Sequence, residues 1–113
     1  MNKQASQTIS TKLSQFVHGF NLNNVPLDVQ QYALQLILDG TGIAYASTQY
    51  DFSKKGLEAL RLFKEPGEHI VLGTGEKMPY RDAALANGLL IHGLDFDDTH
   101  VAGVVHMTSA VWP

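Results

Sequence analysis

The chain has 113 residues, of which 44% are hydrophobic and 17% charged, a composition typical of a folded protein. Its net charge of −3 and the absence of a basic run argue against nucleic acid as a partner, and the absence of cysteine excludes disulfides and thiol nucleophiles. The polar N-terminus lacks the apolar core of a signal peptide, and no apolar run reaches the ~20 residues of a membrane span. We therefore expect a soluble, cytoplasmic chain that forms one domain over residues 1–113.

The first helix is predicted over residues 6–20, with Ser6 or Thr8 as its N-cap. Apolar residues recur there every three or four positions, as on one face of an amphipathic helix: Ile9, Leu13, Phe16, Val17 and Phe20.

A second helix is predicted to begin near Pro26 or Leu27, because proline is tolerated in a first helical turn. Gly40 and Gly42 each lower its helix propensity by ~1 kcal/mol. Because glycine has no side chain, we expect these two positions to permit close packing by another helix. A third helix is predicted over about 53–64.

The segment 69–78 changes character. A short β-prone run begins at His69, and Gly73-Thr74-Gly75 follows it, which predicts an extended segment or small hairpin. The two glycines lack the remaining glycines and the lysine of a phosphate-binding loop. We therefore interpret them as a plain turn.

The fourth helix, predicted over 81–94, is apolar nearly all round and should be buried on every side. Three short helices cannot cover it completely, so the chain should either self-associate or be part of a longer protein. Thr108 and Ser109 look like capping residues of a further helix. The predicted fold class is all-α, a bundle of about four helices with one short extended or hairpin segment near 69–78.

Ionisable residues cluster directly behind this helix. If the helix persists through residue 99, His92, Asp95 and either Asp98 or Thr99 share a face, and Asp97 points elsewhere. His106 follows a segment of glycine and β-branched residues that could fold it back over the aspartates. A carboxylate, a hydroxyl and an imidazole at the end of a buried helix predict an acid–base site.

The same segment has two other interpretations. One is a metal site, whose ligands would come from Asp95, Asp97, Asp98, His100 and His106. Their spacing matches no EF-hand, His-Glu-x-x-His motif or zinc ribbon, so we predict no metal and no cofactor. The other is that Asp97, Asp98 and His100 are simply solvated residues at a helix end.

A longer pattern connects these residues. The stretch DAALANGLLIHGLDFDDTH, followed by a histidine and TSAVWP, resembles the MmgE/PrpD family, which includes 2-methylcitrate dehydratase and cis-aconitate decarboxylase. LSQFVHGFNLNNVPLDVQQYALQLILDGTGIAYAS is similar to the family's opening two helices, and VLGTGEKMPYRDAALANG to its lead into the buried helix. The resemblance covers nearly the whole chain but only the beginning of a family member.

The resemblance implies the start of a large helical domain, in a protein that is usually a homodimer. Family members dehydrate, decarboxylate or epimerise small polycarboxylates without needing a metal. By the same resemblance, the candidate catalytic residues are Asp95, Thr99 and His106. The candidate substrate-binding residues are His92, Asp98 and His100.

The family's active site also draws lysines and histidines from segments further along the chain, which are not among these residues. We therefore expect an N-terminal segment of a lyase that binds a polycarboxylate only when completed by those segments and is inactive alone. The alternative is a non-catalytic helical module that dimerises through its second and fourth helices.

Overall fold

The computed structural model describes residues 7–63 and 65–113, and these are mostly helical, as predicted. The α-helices within the described residues are α1 (Ile9–Gly19), α2 (Leu27–Ser47), α3 (Asp51–Arg61), α4 (Tyr80–His92) and α5 (Thr108–Val111). A 3-10 turn covers Leu22–Asn24. Two short antiparallel hairpins complete the described elements: β1 (His69–Ile70) with β2 (Lys77–Met78), and β3 (Thr99–His100) with β4 (Val105–His106).

The backbone divides into two compact units, one ending at Gln30 and one covering Gln31–Pro113. A single domain over residues 1–113 stays a prediction. None of the described helices is long and apolar enough to cross a membrane.

In the first unit, α1 begins directly after a side-chain N-cap, Thr8. The hydroxyl of Thr8 accepts a hydrogen bond from the Thr11 backbone N–H, so Thr8 is the N-cap, as predicted. The other predicted cap, Ser6, lies outside the described residues.

In the second unit, α2 runs past Gly40 at a close helix crossing. A Cβ added at Gly40 would lie 3.1 Å from Thr108 Cγ2 and 3.4 Å from Ile91 Cγ2, so the predicted close approach is confirmed there. At Gly42 the prediction is wrong, because no described atom lies within 4 Å of an added Cβ. The third predicted helix, α3, ends at Arg61, and the predicted end at Lys64 falls outside the described residues.

The core of the second unit forms around α4, which packs against α3, α5 and the first hairpin. Its buried apolar residues are Ala44, Leu57, Val71, Met78, Ala83, Ala86, Leu90 and Ile91. The prediction that this helix is buried on every side is wrong within the chain, because Leu85 is 61% exposed. Its neighbours cover the faces that carry Ala86, Leu90 and Ile91 and leave the Leu85 side open.

The first hairpin is attached to α4 by the side chain of Asn87, which is buried. Its Oδ1 accepts the backbone N–H of Leu72 at 2.9 Å, and its Nδ2 donates to the carbonyl of Ile70 at 3.1 Å. The intervening glycines, Gly73 and Gly75, have φ of 71° and 72°, which confirms the predicted turn.

The last helix, α5, begins at Thr108, not after it. The prediction that Thr108 caps this helix is therefore wrong. The backbone N–H of Thr108 donates to Asp98 Oδ1 at 2.9 Å, so the carboxylate of a residue distant in sequence supplies the acceptor that a cap normally provides.

Candidate functional site

Helix α4 ends earlier along the chain than the predicted end at residue 94. The helix ends at His92, with Gly93 as its C-cap, and Asp95 has a φ of 57°. A residue in the left-handed region breaks the helical path, so the expected common helix face for His92, Asp95 and Asp98 or Thr99 does not form. The helix predicted over 81–94 ends two residues early and does not persist through residue 99, the condition on which that shared face depended.

The second hairpin brings His106 back instead. Thr99 pairs with His106 and His100 with Val105, and Val104 in the connecting turn has a φ of 48°. The prediction that the chain folds His106 over the aspartates is confirmed, although it does so as a hairpin and not as an irregular loop.

His106 lies between two carboxylates. Its Nε2 is 3.3 Å from Asp95 Oδ1, and its Nδ1 is 3.2 Å from Asp97 Oδ1. The Asp95 side chain is 80% exposed, whereas that of Asp97 is only 1% exposed. The imidazole therefore joins a buried carboxylate to one that solvent or a ligand can reach.

Asp97 was missed by the helical reasoning, which pointed it away from the site and alternatively treated it as solvated. Its carboxylate also faces His92, whose Nδ1 lies 3.2 Å from the same Oδ1 atom. The two imidazole rings are 4.8 Å apart between centroids. We call His92, Asp95, Asp97 and His106 the His–Asp cluster. The sequence signal that could have found Asp97 is the aspartate spacing itself, once the chain is recognised as non-helical there.

The remaining predicted site residues face other partners. His100 Nδ1 accepts the backbone N–H of Gly103 at 3.0 Å, which stabilises the turn of the second hairpin. Thr99 is exposed on β3. Hydrogen bonding from Thr108 holds the pKa of the Asp98 carboxyl below its ordinary value. This carboxylate accepts the first backbone N–H of α5 and therefore stabilises the start of that helix. The substrate-binding roles of Asp98 and His100 stay predictions.

The cluster suits proton transfer. An imidazole can take or give a proton near neutral pH, and a carboxylate beside it stabilises the charged ring and fixes its orientation. The same four residues each offer a ligand atom within 4.8 Å of the others, and Asp97 Oδ2 is buried with no hydrogen-bond partner among the described residues. The cluster is therefore also compatible in size with a divalent cation, the alternative that the sequence left open.

A separate open cavity of about 370 Å³ lies beside α5 and is not part of this site. Apart from Asp98, its wall is mainly apolar: Ala33, Leu36, Ile37, Met107, Thr108, Val111 and Trp112. No residue of the His–Asp cluster lines it.

Comparison with known proteins places these residues in a wider context. The sequence model of the MmgE/PrpD N-terminal domain matches residues 11–113. The chain is similar to the cis-aconitate decarboxylase of Aspergillus terreus, at 29% identity over 112 residues that make up 99% of this chain and 23% of that protein. It is also similar to the cis-aconitate decarboxylases of Homo sapiens, at 28% identity, and Mus musculus, at 26%, each over 95% of this chain and 22% of the relative. No solved structure gives a significant match.

Proposed function

Because the chain belongs to the MmgE/PrpD family, we propose that it is the N-terminal segment of a lyase that acts on a small polycarboxylate. The chain spans about a quarter of the length of the curated relatives that it matches. In this proposal it supplies acid–base residues, and the rest of the site comes from segments beyond these residues. Dehydration, decarboxylation and epimerisation all require such proton transfers.

The observation that carries the proposal is the position of the His106 imidazole between Asp95 and Asp97. One face of this arrangement is closed and the other open, so a proton on the ring can pass to a molecule beside Asp95 while Asp97 stays buried. Thr99 is directly opposite His106 in the second hairpin, and opposite residues of an antiparallel pair project from the same face. The family resemblance marked three of these residues as catalytic, namely Asp95, Thr99 and His106.

The cluster carries too little positive charge to bind a polycarboxylate by itself. Two of its four members are aspartates, and the whole chain has a net charge of −3. Strong binding of carboxylates relies on charge-assisted hydrogen bonds from arginine, lysine or protonated histidine. We therefore expect no turnover of cis-aconitate or 2-methylcitrate by this chain alone.

A chimera tests the proposal. This chain would replace the matching N-terminal segment of the Aspergillus terreus cis-aconitate decarboxylase, and cis-aconitate decarboxylation would be measured. We expect activity, and we expect His106→Asn and Asp95→Asn to lower kcat by roughly 100-fold or more, the usual contribution of a general acid or base. His69→Asn is the matched control, because His69 is an exposed histidine of the first hairpin.

The result contradicts the proposal if the folded chimera is inactive, or if His106→Asn keeps the activity of the His69→Asn control. Activity of the isolated chain would contradict only the expectation that the segment is incomplete.

The exposed position of Leu85 favours a second candidate function. Leu85 is not alone, because Leu34 and Leu38 of α2 are also exposed, and several large apolar side chains left open to solvent are a feature of surfaces that bind another protein. In this alternative the chain is a non-catalytic, self-associating helical module, and the homodimer forms through α2 and α4. An inactive chimera together with a stable dimer of this chain would support it.

A further inference from the structure

The two histidines of the cluster turn the same ring nitrogen toward one buried carboxylate. Nδ1 of His92 and Nδ1 of His106 each lie 3.2 Å from Asp97 Oδ1. Nδ1 of His106 also lies 3.2 Å from the backbone carbonyl oxygen of Asp97. Both rings are therefore oriented by one residue.

These contacts determine which nitrogen holds the hydrogen. A carbonyl oxygen only accepts hydrogen bonds, and an ionised carboxylate also only accepts them. The hydrogen in each contact must then come from the imidazole, which places it on Nδ1. A neutral imidazole carries only one ring N–H. Nε2 of His106 also lies 3.3 Å from Asp95 Oδ1, but the Asp95 side chain is 80% exposed and water can solvate it, whereas the Asp97 side chain is 1% exposed and this residue offers Nδ1 two acceptors. The Nδ1–H form is therefore favoured, and Nε2 is left as the unprotonated nitrogen.

We propose that Asp97 is a positioning residue that holds His92 and His106 in the same Nδ1–H form, so that the Nε2 atoms of both rings exchange protons with the substrate. This inference rests on the proposed lyase function. It adds His92 as a second acid–base residue, where the sequence suggested only substrate binding. The His92 side chain is 53% exposed, so a ligand can reach it.

Two imidazoles suit a reaction that takes a proton from one atom and delivers a proton to another. In a dehydration, a neutral Nε2 removes the proton from carbon, and the C–H electron pair forms the new double bond. The second ring, protonated beforehand, gives its Nε2 proton to the departing hydroxyl, which leaves as water with the C–O electron pair. The buried Asp97 carboxylate faces both rings and stabilises whichever one is charged.

The tautomers can be read directly by nitrogen-15 NMR of the histidine side chains in the isolated chain. Spectra would be recorded at a pH high enough that the ring signals no longer change. We expect His92 and His106 to be in the Nδ1–H form. His100 is an internal control for the opposite form, because its Nδ1 accepts the Gly103 N–H and its hydrogen must be on Nε2.

Two variants separate positioning from general structure. Asp97→Leu removes the acceptor at similar volume, and we expect His92 to lose its preference for Nδ1–H, while the carbonyl of residue 97 still favours that form at His106. Asp95→Asn is the matched control and should leave both rings in the Nδ1–H form, since Asp95 faces only the Nε2 side of His106.

An Nε2–H form of His92 or His106 in the unmodified chain would overturn the inference, whether or not the Asp97→Leu variant folds. An unchanged His92 tautomer in folded Asp97→Leu would overturn it as well. Because this measurement needs no turnover, its failure would leave the chimera test of lyase function untouched, and an inactive chimera would not alter the tautomers.

Discussion

Replacing Asn87 by leucine tests how the first hairpin is attached to the central helix. Asn87 is 8% exposed, and its amide makes two hydrogen bonds, to the Leu72 N–H and the Ile70 carbonyl. Leucine has a similar size but cannot form either bond. The backbone groups of Leu72 and Ile70 are then left without their partner in a partly buried place.

The expected loss follows from the cost of an unsatisfied group, about 1–3 kcal/mol each. Two groups give about 2–6 kcal/mol, and we expect the lower half of that range because both bonds are only partly buried. A loss of this size is a large fraction of the stability of a small protein, about 5–15 kcal/mol.

Urea unfolding followed by tryptophan fluorescence measures this loss. Trp112 is the only tryptophan, and it packs against the core of the same unit. Gln35→Leu is the matched control, since it makes a similar amide-to-leucine change at an exposed position of α2 and should alter stability by less than about 0.5 kcal/mol. If Asn87→Leu is as stable as the Gln35→Leu control, the hydrogen bonds do not hold the hairpin and the reasoning fails.

Four further expectations concern charge, packing, metal and assembly. The pKa of Asp98 lies below its ordinary value in the folded chain. The contribution of this carboxylate to stability is therefore present at neutral pH and is lost as the pH falls through the lowered pKa. The urea midpoint of Asp98→Asn should depend less on pH below about 4 than that of the unmodified chain. Gly40→Leu should destabilise the folded chain by roughly 1–3 kcal/mol, because Thr108 lies against this position. Gly42→Ala should stabilise it by up to about 1 kcal/mol, because the space around Gly42 is open. Thermal melts that rank the two variants in the reverse order would refute this packing. Zn²⁺ or Mn²⁺ should barely change the melting temperature, because we predict no metal site. A metal ion that did bind, present at 100 times its dissociation constant, would stabilise the fold by about 2.7 kcal/mol, so a large saturable shift would favour a metal site at the His–Asp cluster. Sedimentation should show a homodimer that Leu85→Asp converts into folded monomers, and a monomeric unmodified chain at high concentration would contradict the proposed assembly.

Local sequence patterns were sufficient wherever the cause of a helix end or a turn is itself local. The cap at Thr8, the start of α2 after Pro26 and the glycine turn between β1 and β2 each depend on residues a few positions apart. The same patterns could not tell Gly40 from Gly42, because only one of them meets another helix. Whether a glycine is a packing site depends on what crosses it.

The site shows the same division. The sequence, through its ionisable residues and its resemblance to a family, named Asp95 and His106 among the candidate catalytic residues and predicted that His106 folds back over the aspartates. It named Asp97 only as a possible metal ligand or a solvated residue and not as part of the acid–base site, because the helical spacing considered for residues 93–99 turned that side chain away.

The amino-acid sequence alone determined the mostly helical class, which follows from residue type and short-range periodicity. It also determined the family, through the resemblance of longer motifs, and the segment in which the candidate site lies. Only the tertiary structure decided that α4 stops at His92, that a second hairpin returns His106, and that one buried carboxylate serves two imidazoles. The physical reason is that a contact between residues separated by a turn depends on backbone angles such as that of Asp95, and a single left-handed residue there redirects every side chain that follows.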